Sequence, residues 1–380
     1  MPSGSLNKGE LGEIYVLLRL VADGRLDLSD AEEEPLPSTY LEVVEAIRKA
    51  AGRRVVYEIG DRNDSSRLIV VRVNDEEAAQ IEASGFSEHA AEILGYVTRF
   101  GGKRTVELPE EMVSFLDSAE VKHYKAAASD KSDIWLTTRD PRTAITSSDT
   151  GFSIKTKWAG ASTLFNTGSG SRSVYIVDGM TNSLAKEVNA VTDNKGHADV
   201  KGRVSKILAS GCQLTFDGYT RDRKTGQQTF ADNCRFINGD ISEMWRAVVM
   251  AHFSEDKFSG GNGSMRDISD WLVKEDPCRI GAYKDEMYPV YISNFLFAAY
   301  CGLTASRHWN GRSNVNGGLI VVRKDGRVVG FSSLDSDLFH DYLFNNCRVD
   351  WPSTSKGHGD YGTVYWDGAW KIALNFQIRF

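Results

Sequence analysis

The sequence lacks the features that would place a protein in or across a membrane. None of its 380 residues belong to an apolar run of about eighteen residues, the length that crosses a bilayer. The N-terminal stretch MPSGSLNKGE also lacks the basic region and apolar run of a signal peptide. We therefore expect a cytoplasmic protein with no membrane partner.

Cysteine and net positive charge are also scarce. The five cysteines form no CxxC pair and have no His-x-x-x-His pair nearby, so a structural zinc site, which needs about four ligands, is not indicated. The net charge of −7, from 52 acidic and 45 basic residues, gives no global sign of nucleic-acid binding. Any contact with nucleic acid must come from local basic patches.

Apolar patterns indicate a mixture of helices and strands. Residues 5–24 carry apolar side chains at helical spacing after a capping residue, Ser5 or Asn7, and residues 39–52 (TYLEVVEAIRKAAG) are predicted to form a second helix. Alternation and β-branched residues predict strands at 54–60, 67–74, 133–138, 152–157 and 171–179.

Further along the chain the patterns predict hairpins. Residues 212–237 read as a strand, a basic loop and a second strand, and residues 317–333 as a hairpin turned at Asp325-Gly326. Helices with mostly antiparallel strands predict an α/β or α+β fold with a mixed sheet. The sequence shows no repeats or linkers. We divide the chain into a catalytic part, 1–205, and a recognition and dimerisation part, 206–380.

The hairpin around residues 133–157 carries residues that suit phosphodiester hydrolysis. Alternate strand residues share a face, so Ser153, Lys155 and Lys157 should point together. Asp133 begins the preceding strand and can lie beside Lys155. Such a carboxylate can hold Mg²⁺ against a phosphate oxygen while the lysine positions the attacking water and helps to deprotonate it. The ordinary alternative is an exposed strand lysine near a turn aspartate.

A second acid is needed, because Mg²⁺ usually has one or two carboxylate ligands. Glu10 and Glu13 are the candidates, since a helix packed on the sheet by its apolar stripe can aim a flanking carboxylate at the strand ends. Acids in a first helical turn are also favoured by the helix dipole alone. Both interpretations of these glutamates stay open at this point.

Three separated segments resemble a known family. They are NKGELGEIYVLLRLVADGRL at the start, KSDIWL followed by GFSIKTKWAGASTLFN in the middle, and WPSTSKGHGDYGTVYWDGAWKIALNFQIRF at the end. In their order and spacing they resemble the HpaII family of type II restriction endonucleases, which belongs to the PD-(D/E)XK nuclease superfamily. The resemblance spans residues 7–380.

This resemblance implies an activity and its partners. A member of the family would be a Mg²⁺-dependent homodimer that cuts both strands of double-stranded DNA at a short palindromic site, here a CCGG-containing one. It would work in a restriction-modification system beside a companion DNA methyltransferase.

The resemblance also assigns roles to individual residues. Asp133 matches the metal-binding aspartate, although Ser132 replaces the usual proline, and Lys155 matches the catalytic lysine. Ser153 occupies the place of the second acid. Glu13 matches an N-terminal helix acid that some superfamily members bring to the metal.

Three further candidates complete this site. Glu10 competes with Glu13 for the metal, and the backbone carbonyl of Ile154 is a possible additional ligand. Asn166 follows the lysine strand and is a candidate to hydrogen-bond a phosphate or the flanking backbone; capping a turn is its alternative role.

Candidate DNA contacts lie in local basic segments, because phosphate neutralisation needs Lys and Arg, and base reading needs Arg, Lys, Asn or Gln. A solvated loop is the alternative for each of them. The candidates are Lys122, Lys125, Lys157, Arg221, Arg223, Lys224, Arg307, His308, Asn310, Arg312, Lys356 and His358.

Two other functions compete with this interpretation. The first is a DNA-binding protein on the same fold without catalysis, for which Ser153 is the argument. The second is an unrelated carboxylate-based hydrolase that uses Glu107, Glu110 or Glu111.

Overall fold

Helices and strands alternate irregularly, and parallel and antiparallel strand pairs occur in one sheet, so the predicted mixed α+β class is confirmed. The protein is represented by a computed structural model that describes residues 5–50, 52–64, 66–99, 105–121, 132–158, 160, 162–258, 263–313, 315–354 and 360–380. No helix in these ranges is long and apolar enough to cross a membrane.

The chain folds into two units. Unit 1 comprises Met1–Ser162 and Ser313–Tyr342, and unit 2 comprises Thr163–Arg312 and Leu343–Phe380. These units interleave along the chain and so do not coincide with the parts 1–205 and 206–380, a division that stays a prediction about function.

The helices and strands follow in chain order. The strands are β1 (Ser5–Asn7), β2 (Arg25–Ser29), β3 (Pro35–Ala50), β4 (Arg53–Glu58), β5 (Leu68–Val73), β6 (Glu76–Glu82), β7 (Thr105–Glu107), β8 (Ile134–Arg139), β9 (Thr146–Thr156), β10 (Thr163–Phe165), β11 (Ser173–Asp178), β12 (Gln213–Tyr219), β13 (Gly318–Val322), β14 (Val328–Ser332), β15 (Arg348–Asp350), β16 (Val364–Trp366), β17 (Trp370–Leu374) and β18 (Gln377–Arg379). The helices are α1 (Lys8–Asp23), α2 (Ala83–Arg99), α3 (Glu110–Ser118), α4 (Asn182–Asn189), α5 (Val200–Ala209), α6 (Thr229–Arg235), α7 (Ile241–Glu255), α8 (Met265–Glu275), α9 (Lys284–Cys301) and α10 (Ser336–Asn346).

A nine-stranded sheet dominates unit 1, in the order β2-β14-β13-β9-β8-β3-β4-β5-β6. The predicted hairpins β8–β9 and β13–β14 are both present as antiparallel pairs, and β9 pairs in parallel with β13. The apolar side chains of Ile134, Leu136, Phe152 and Ile154 join the main core of the unit. The intervening residues of β8 and β9 therefore face the other side of the sheet.

Helix α1 lies close to the strand that carries Lys155. It begins at the cap residue Asn7 and buries an apolar stripe in the core of unit 1, as predicted. Gly12 approaches Thr156 so closely that a Cβ atom added at residue 12 would lie 3.1 Å from the Thr156 side chain. The Tyr15 hydroxyl donates a 2.6 Å hydrogen bond to the carbonyl of Gly326, which fixes α1 over the sheet.

The helix predicted at residues 39–52 is wrong, because this segment belongs to strand β3. Its Glu, Ala, Arg and Lys residues favour a helix locally. In the fold, however, β3 pairs with β2 and β4 along one edge and with β8 along the other, and Ala46 and Ile47 are both fully buried, on opposite sides of the sheet. Pairing and burial on both sides override the local preference.

Among its described residues, unit 2 has the antiparallel sheets β12-β11-β17-β16 and β10-β18-β15. An aromatic cluster lies in its core, in which Trp245 stacks on Phe376 with ring centroids 4.9 Å apart. The second strand predicted within 212–237 is wrong, because the basic loop after β12 leads into helix α6. The buried residues Phe230, Asn233 and Cys234 have the spacing of one helical face, which explains the difference.

Candidate active site

Asp133 is held at the start of the β8–β9 hairpin by one of its two carboxylate oxygens. Its Oδ2 accepts hydrogen bonds from the backbone N–H of Ile154 at 2.6 Å and from the hydroxyl of Ser153 at 3.2 Å. No hydrogen bond to Oδ1 is found within the described residues. Ser153 therefore orients the aspartate, while the second carboxylate oxygen is left for a ligand.

Lys155 stands two residues beyond Ser153 and so points to the same side of the sheet. On one edge Lys155 is in register with Val321 of β13, and on the other edge the pairing of β9 with β8 ends at Phe152, three residues earlier. Its side chain is partly buried. The strand geometry thus brings Asp133, Ser153 and Lys155 together, as the alternation predicted.

Glu13 reaches the same place from helix α1. Burial and the negative charge of Asp133 raise the pKa of Glu13 to about 7, against an ordinary value of 4.5, although Arg48 and Lys155 act to lower it. Arg48 forms an ion pair with Glu13, with a guanidinium nitrogen 4.0 Å from Glu13 Oε2. Two acids therefore lie close together with incomplete neutralisation, which is a donor set that suits a divalent cation.

Glu10 has a different role from Glu13. Its carboxylate Oε2 accepts a 2.9 Å hydrogen bond from the backbone N–H of Asn7, and the Asn7 side chain accepts one from the backbone N–H of Glu10 at 3.0 Å. This reciprocal capping box stabilises the start of α1. The contact supports Glu13 over Glu10 as the acid at the site.

Two basic residues near the site were missed by the sequence analysis, because they lie in β3, which was predicted as a helix. Arg48 is the partner of Glu13 described above. Lys49 lies over the ring of Trp135, 4.8 Å from its centroid, and makes a 2.6 Å ion pair with Asp149. Trp135 and Asp133 alternate onto the same face, so Lys49 lies on the face of the sheet that carries the candidate catalytic residues.

Lys157, a predicted DNA contact, is engaged within unit 1. Its ammonium lies 2.6 Å from Oε1 of Glu33, a buried carboxylate that also accepts a 3.1 Å hydrogen bond from the hydroxyl of Tyr342. Lys157 thus compensates a buried charge just after the end of β9. Its role in DNA binding stays a prediction.

The remaining predicted DNA contacts lie in unit 2 or outside the described residues. Asn166 follows β10 and is exposed. Also exposed are Arg221, Arg223, Lys224, Arg307, His308, Asn310 and Arg312. Outside the described residues lie Lys122, Lys125, Lys356 and His358.

The acids of the rival hydrolase do not gather into a site. Glu107, Glu110 and Glu111 are exposed, and the last two belong to the first turn of α3, where acids favour the helix dipole. In the described part of the chain, no group of three His, Cys, Asp or Glu side chains could by itself hold a metal ion. A metal at Asp133 and Glu13 would accordingly need backbone, water or substrate oxygens as well, as is usual for Mg²⁺.

Comparison with known proteins bears on this geometry. The family model described as HpaII restriction endonuclease matches residues 7–380. A type II restriction enzyme, HpaII from Haemophilus parainfluenzae, is 26% identical over 376 residues, which are 98% of this chain and 98% of that protein. No solved structure is significantly similar to the chain.

Proposed function

Because this chain belongs to the HpaII restriction endonuclease family, and is therefore a type II site-specific DNA endonuclease, we propose that Asp133, Glu13 and Lys155 form its active site. The proposal includes a PD-(D/E)XK-type core, Mg²⁺ as the metal and a homodimer that cuts both strands of a short palindromic site. The observation that carries it is the shared position of Asp133, Glu13 and Lys155, which come from three separate elements.

The donor set fits a magnesium ion. Asp133 has an oxygen without a hydrogen bond among the described residues, and Glu13 is only partly neutralised by Arg48, whose guanidinium nitrogen lies 4.0 Å away. Asp133, Glu13 and the backbone carbonyl of Ile154 would hold the ion, with Glu10 left to cap the helix. When bound, Mg²⁺ would stabilise the negative charge that develops on the phosphate.

The side chains of this site have separate tasks in phosphodiester hydrolysis. Ser153 holds the Asp133 carboxylate in place through its hydroxyl. Lys155 can donate a hydrogen bond to the water that attacks phosphorus, and its positive charge opposes the charge gained by the phosphate oxygens. Ser153 is then a positioning residue and not a sign of a dead site.

Contacts with the DNA backbone should come from the sheet face that carries Asp133 and Lys155. Lys49 lies there above Trp135 and is paired with a single exposed acid, Asp149. A phosphate can replace that acid as the partner of the ammonium group. We include Lys49 as a backbone contact beside Lys157 and the unit 2 loops; Asn166 stays a candidate for the flanking backbone.

Digestion tests the proposal directly. Purified protein is incubated with plasmid and Mg²⁺, with EDTA as the control, and the fragment ends are sequenced. Discrete fragments with a common palindrome, which we expect to contain CCGG, support the proposal, and an uncut plasmid contradicts it. Size-exclusion chromatography with light scattering tests the homodimer.

The cell that makes such an enzyme must protect its own DNA. We therefore include a companion DNA methyltransferase, acting at the same site, as a functional partner. Sequencing the neighbouring genes tests this point, and DNA of the source cell should resist cleavage by the purified enzyme.

A further inference from the structure

Two basic loops flank helix α6 in unit 2, and they are held in different ways. The first, residues 220–228, is closed on itself. The Asp222 side chain accepts hydrogen bonds from the backbone N–H groups of Lys224 at 3.0 Å and Thr225 at 2.8 Å, and these bonds lower the pKa of Asp222. Arg221 donates a 3.1 Å bond to the carbonyl of Gly226 within the same turn. At its ends the Thr220 N–H donates to the carbonyl of Arg172 and the Gln228 side chain accepts from the Tyr219 N–H; between them the loop is an exposed turn closed by its own hydrogen bonds.

The second loop, residues 304–312, is fastened from outside by one buried side chain. Asn233 of α6 is fully buried. Its Nδ2 donates to the carbonyls of Thr304 at 3.1 Å and Arg307 at 2.8 Å, and its Oδ1 accepts from the N–H of Trp309 at 2.9 Å. One amide group thus binds three backbone positions of the loop.

Other contacts fix the loop at both ends. The buried indole of Trp309 donates a 3.0 Å hydrogen bond to the carbonyl of Arg312. The backbone N–H of Gly170 donates to the Ser306 hydroxyl at 3.2 Å. A Cβ atom at Gly170 would lie 2.0 Å from the carbonyl oxygen of Ala305, so only glycine permits this approach. The backbone of the loop is therefore rigidly placed.

The rigid backbone displays polar side chains to solvent, and Asn310 also accepts a 3.1 Å hydrogen bond from the Arg312 N–H through its Oδ1. Arg307, His308, Asn310 and Arg312 are exposed. Within the described residues, the guanidinium groups of Arg307 and Arg312 make no hydrogen bond or ion pair. Arginine and asparagine are the side chains that most often read guanine and adenine by paired hydrogen bonds.

An exposed aromatic ring lies beside these donors. Phe236, immediately after α6, is 54% exposed and meets the edges of His308 and Trp309 at centroid distances of 6.0 and 6.1 Å. Aromatic and arginine side chains are both enriched at binding interfaces. The first loop has no such ring next to it among the contacts of the described residues.

We propose that loop 304–312 is the element that discriminates bases in the DNA target, and that Asn233 is its positioning residue. Loop 220–228 supplies only electrostatic attraction to the phosphate backbone. This inference rests on the proposed function, since it assigns the sequence reading of the same enzyme. The preorganised loop loses little conformational entropy when it binds, which favours specific contacts.

The test compares matched charge removals in the two loops. Arg307→Ala and Arg312→Ala are set against Arg223→Ala and Lys224→Ala, each of which removes one exposed cation. Fluorescence anisotropy with EDTA measures binding to two duplexes, one with the site mapped from the fragment ends and one with a single base pair of that site changed. Each measurement is repeated over a range of salt concentrations.

We expect the loop 304–312 variants to lower the ratio of affinities for the two duplexes by about tenfold or more. The loop 220–228 variants should lower the affinity for both duplexes equally. They should also reduce the slope of log affinity against log salt by about 0.9. If Arg307→Ala and Arg312→Ala also lower the affinity for both duplexes equally, the inference is wrong.

Asn233→Ala tests the positioning role. It should lower the same affinity ratio and raise KM for cleavage while the circular dichroism spectrum and kcat stay close to those of the unsubstituted protein. If folded Asn233→Ala leaves the affinity ratio unchanged, the positioning role is wrong. If the variant does not fold, Arg312→Ala, at an exposed position, still tests the assignment of the loop. Failure of the unsubstituted protein to cut any DNA would instead overturn the proposed function.

Discussion

The two units leave charge of opposite sign without a full partner. In unit 1, Glu13 and Asp133 lie close together in a partly buried setting, and the pKa of Glu13 rises to about 7. In unit 2, Arg307 and Arg312 are exposed on a rigid loop and find no acid within the described residues. Arg48 and Lys155 neutralise the two acids only in part, and the two arginines have no ion-pair partner among the described residues. If unit 1 carries the proposed active site and unit 2 the proposed recognition loop, substitutions in one unit should change cleavage without changing recognition, and the reverse.

The largest effect should come from the hairpin residues of unit 1. Asp133→Asn and Lys155→Met should each lower the single-turnover cleavage rate by roughly 10²- to 10⁴-fold, because each removes a group that acts on the reacting phosphate. Affinity for the duplex in EDTA should stay near that of the unsubstituted protein. If affinity falls in proportion to the cleavage rate, the contrast between catalysis in unit 1 and recognition in unit 2 is wrong.

The two glutamates of α1 provide a matched pair for the second prediction. Glu13→Gln should lower cleavage by about 10²-fold and abolish the rise in melting temperature that Mg²⁺ gives the unsubstituted protein. Glu10→Gln should change neither, because glutamine can also complete a capping box. Equal losses of cleavage in Glu13→Gln and Glu10→Gln would contradict the assignment of Glu13 as the metal-binding acid.

The third prediction concerns stability without metal. The native pKa of Glu13 lies above its ordinary value of 4.5, so the native state keeps a proton that the unfolded chain loses. The free energy of unfolding should therefore fall as pH rises from 4.5 to about 7 and then level off. The side chain is 36% exposed, so we expect this loss to be only about 1 kcal/mol.

Urea unfolding in EDTA at pH 5 and pH 8 measures this effect. At pH 8, Glu13→Gln should be the more stable protein by that amount although it is the less active one, and at acid pH the two proteins should converge. A Glu13→Gln variant that is less stable than the unsubstituted protein at pH 8 contradicts the raised pKa.

The smallest effect should come from Lys49 in unit 1. Lys49→Met keeps an apolar chain above Trp135 but removes the charge, and should reduce the salt slope of DNA binding by about 0.9 without altering the choice between duplexes. Lys324→Met, at the exposed turn between β13 and β14, is the control and should have no effect. A changed choice between duplexes would place recognition in unit 1 as well.

The sequence predicts much of the candidate site because the site depends on local patterns. Alternation places Ser153 and Lys155 on one face, and the turn-rich connection between two strand-like runs identifies the hairpin that brings Asp133 beside them. The cap at Asn7 likewise identifies the start of the helix that carries Glu13. These features need only neighbours in the chain.

The missed features depend on partners distant in the chain. Strand β3 has the composition of a helix, and only its pairing on both edges makes it a strand, so Arg48 and Lys49 were overlooked. The contact between Lys157 and Glu33 also joins distant segments. Asn233 gives a weak signal, a polar residue on the buried face of a short helix, but nothing local says what it binds.

The hydrogen bonds of Asn233 all go to backbone atoms, so they do not depend on which side chains the loop carries. At these contacts, the backbone conformation of loop 304–312 therefore does not depend on the side chains that the loop displays. Exchanging Arg307 or His308 changes what the loop displays and leaves the Asn233 hydrogen bonds intact, whereas Asn310 also accepts a 3.1 Å hydrogen bond from the Arg312 N–H. A library randomised at Arg307 and His308, with Asn233 and Trp309 kept, should yield folded proteins in which new target preferences can be selected.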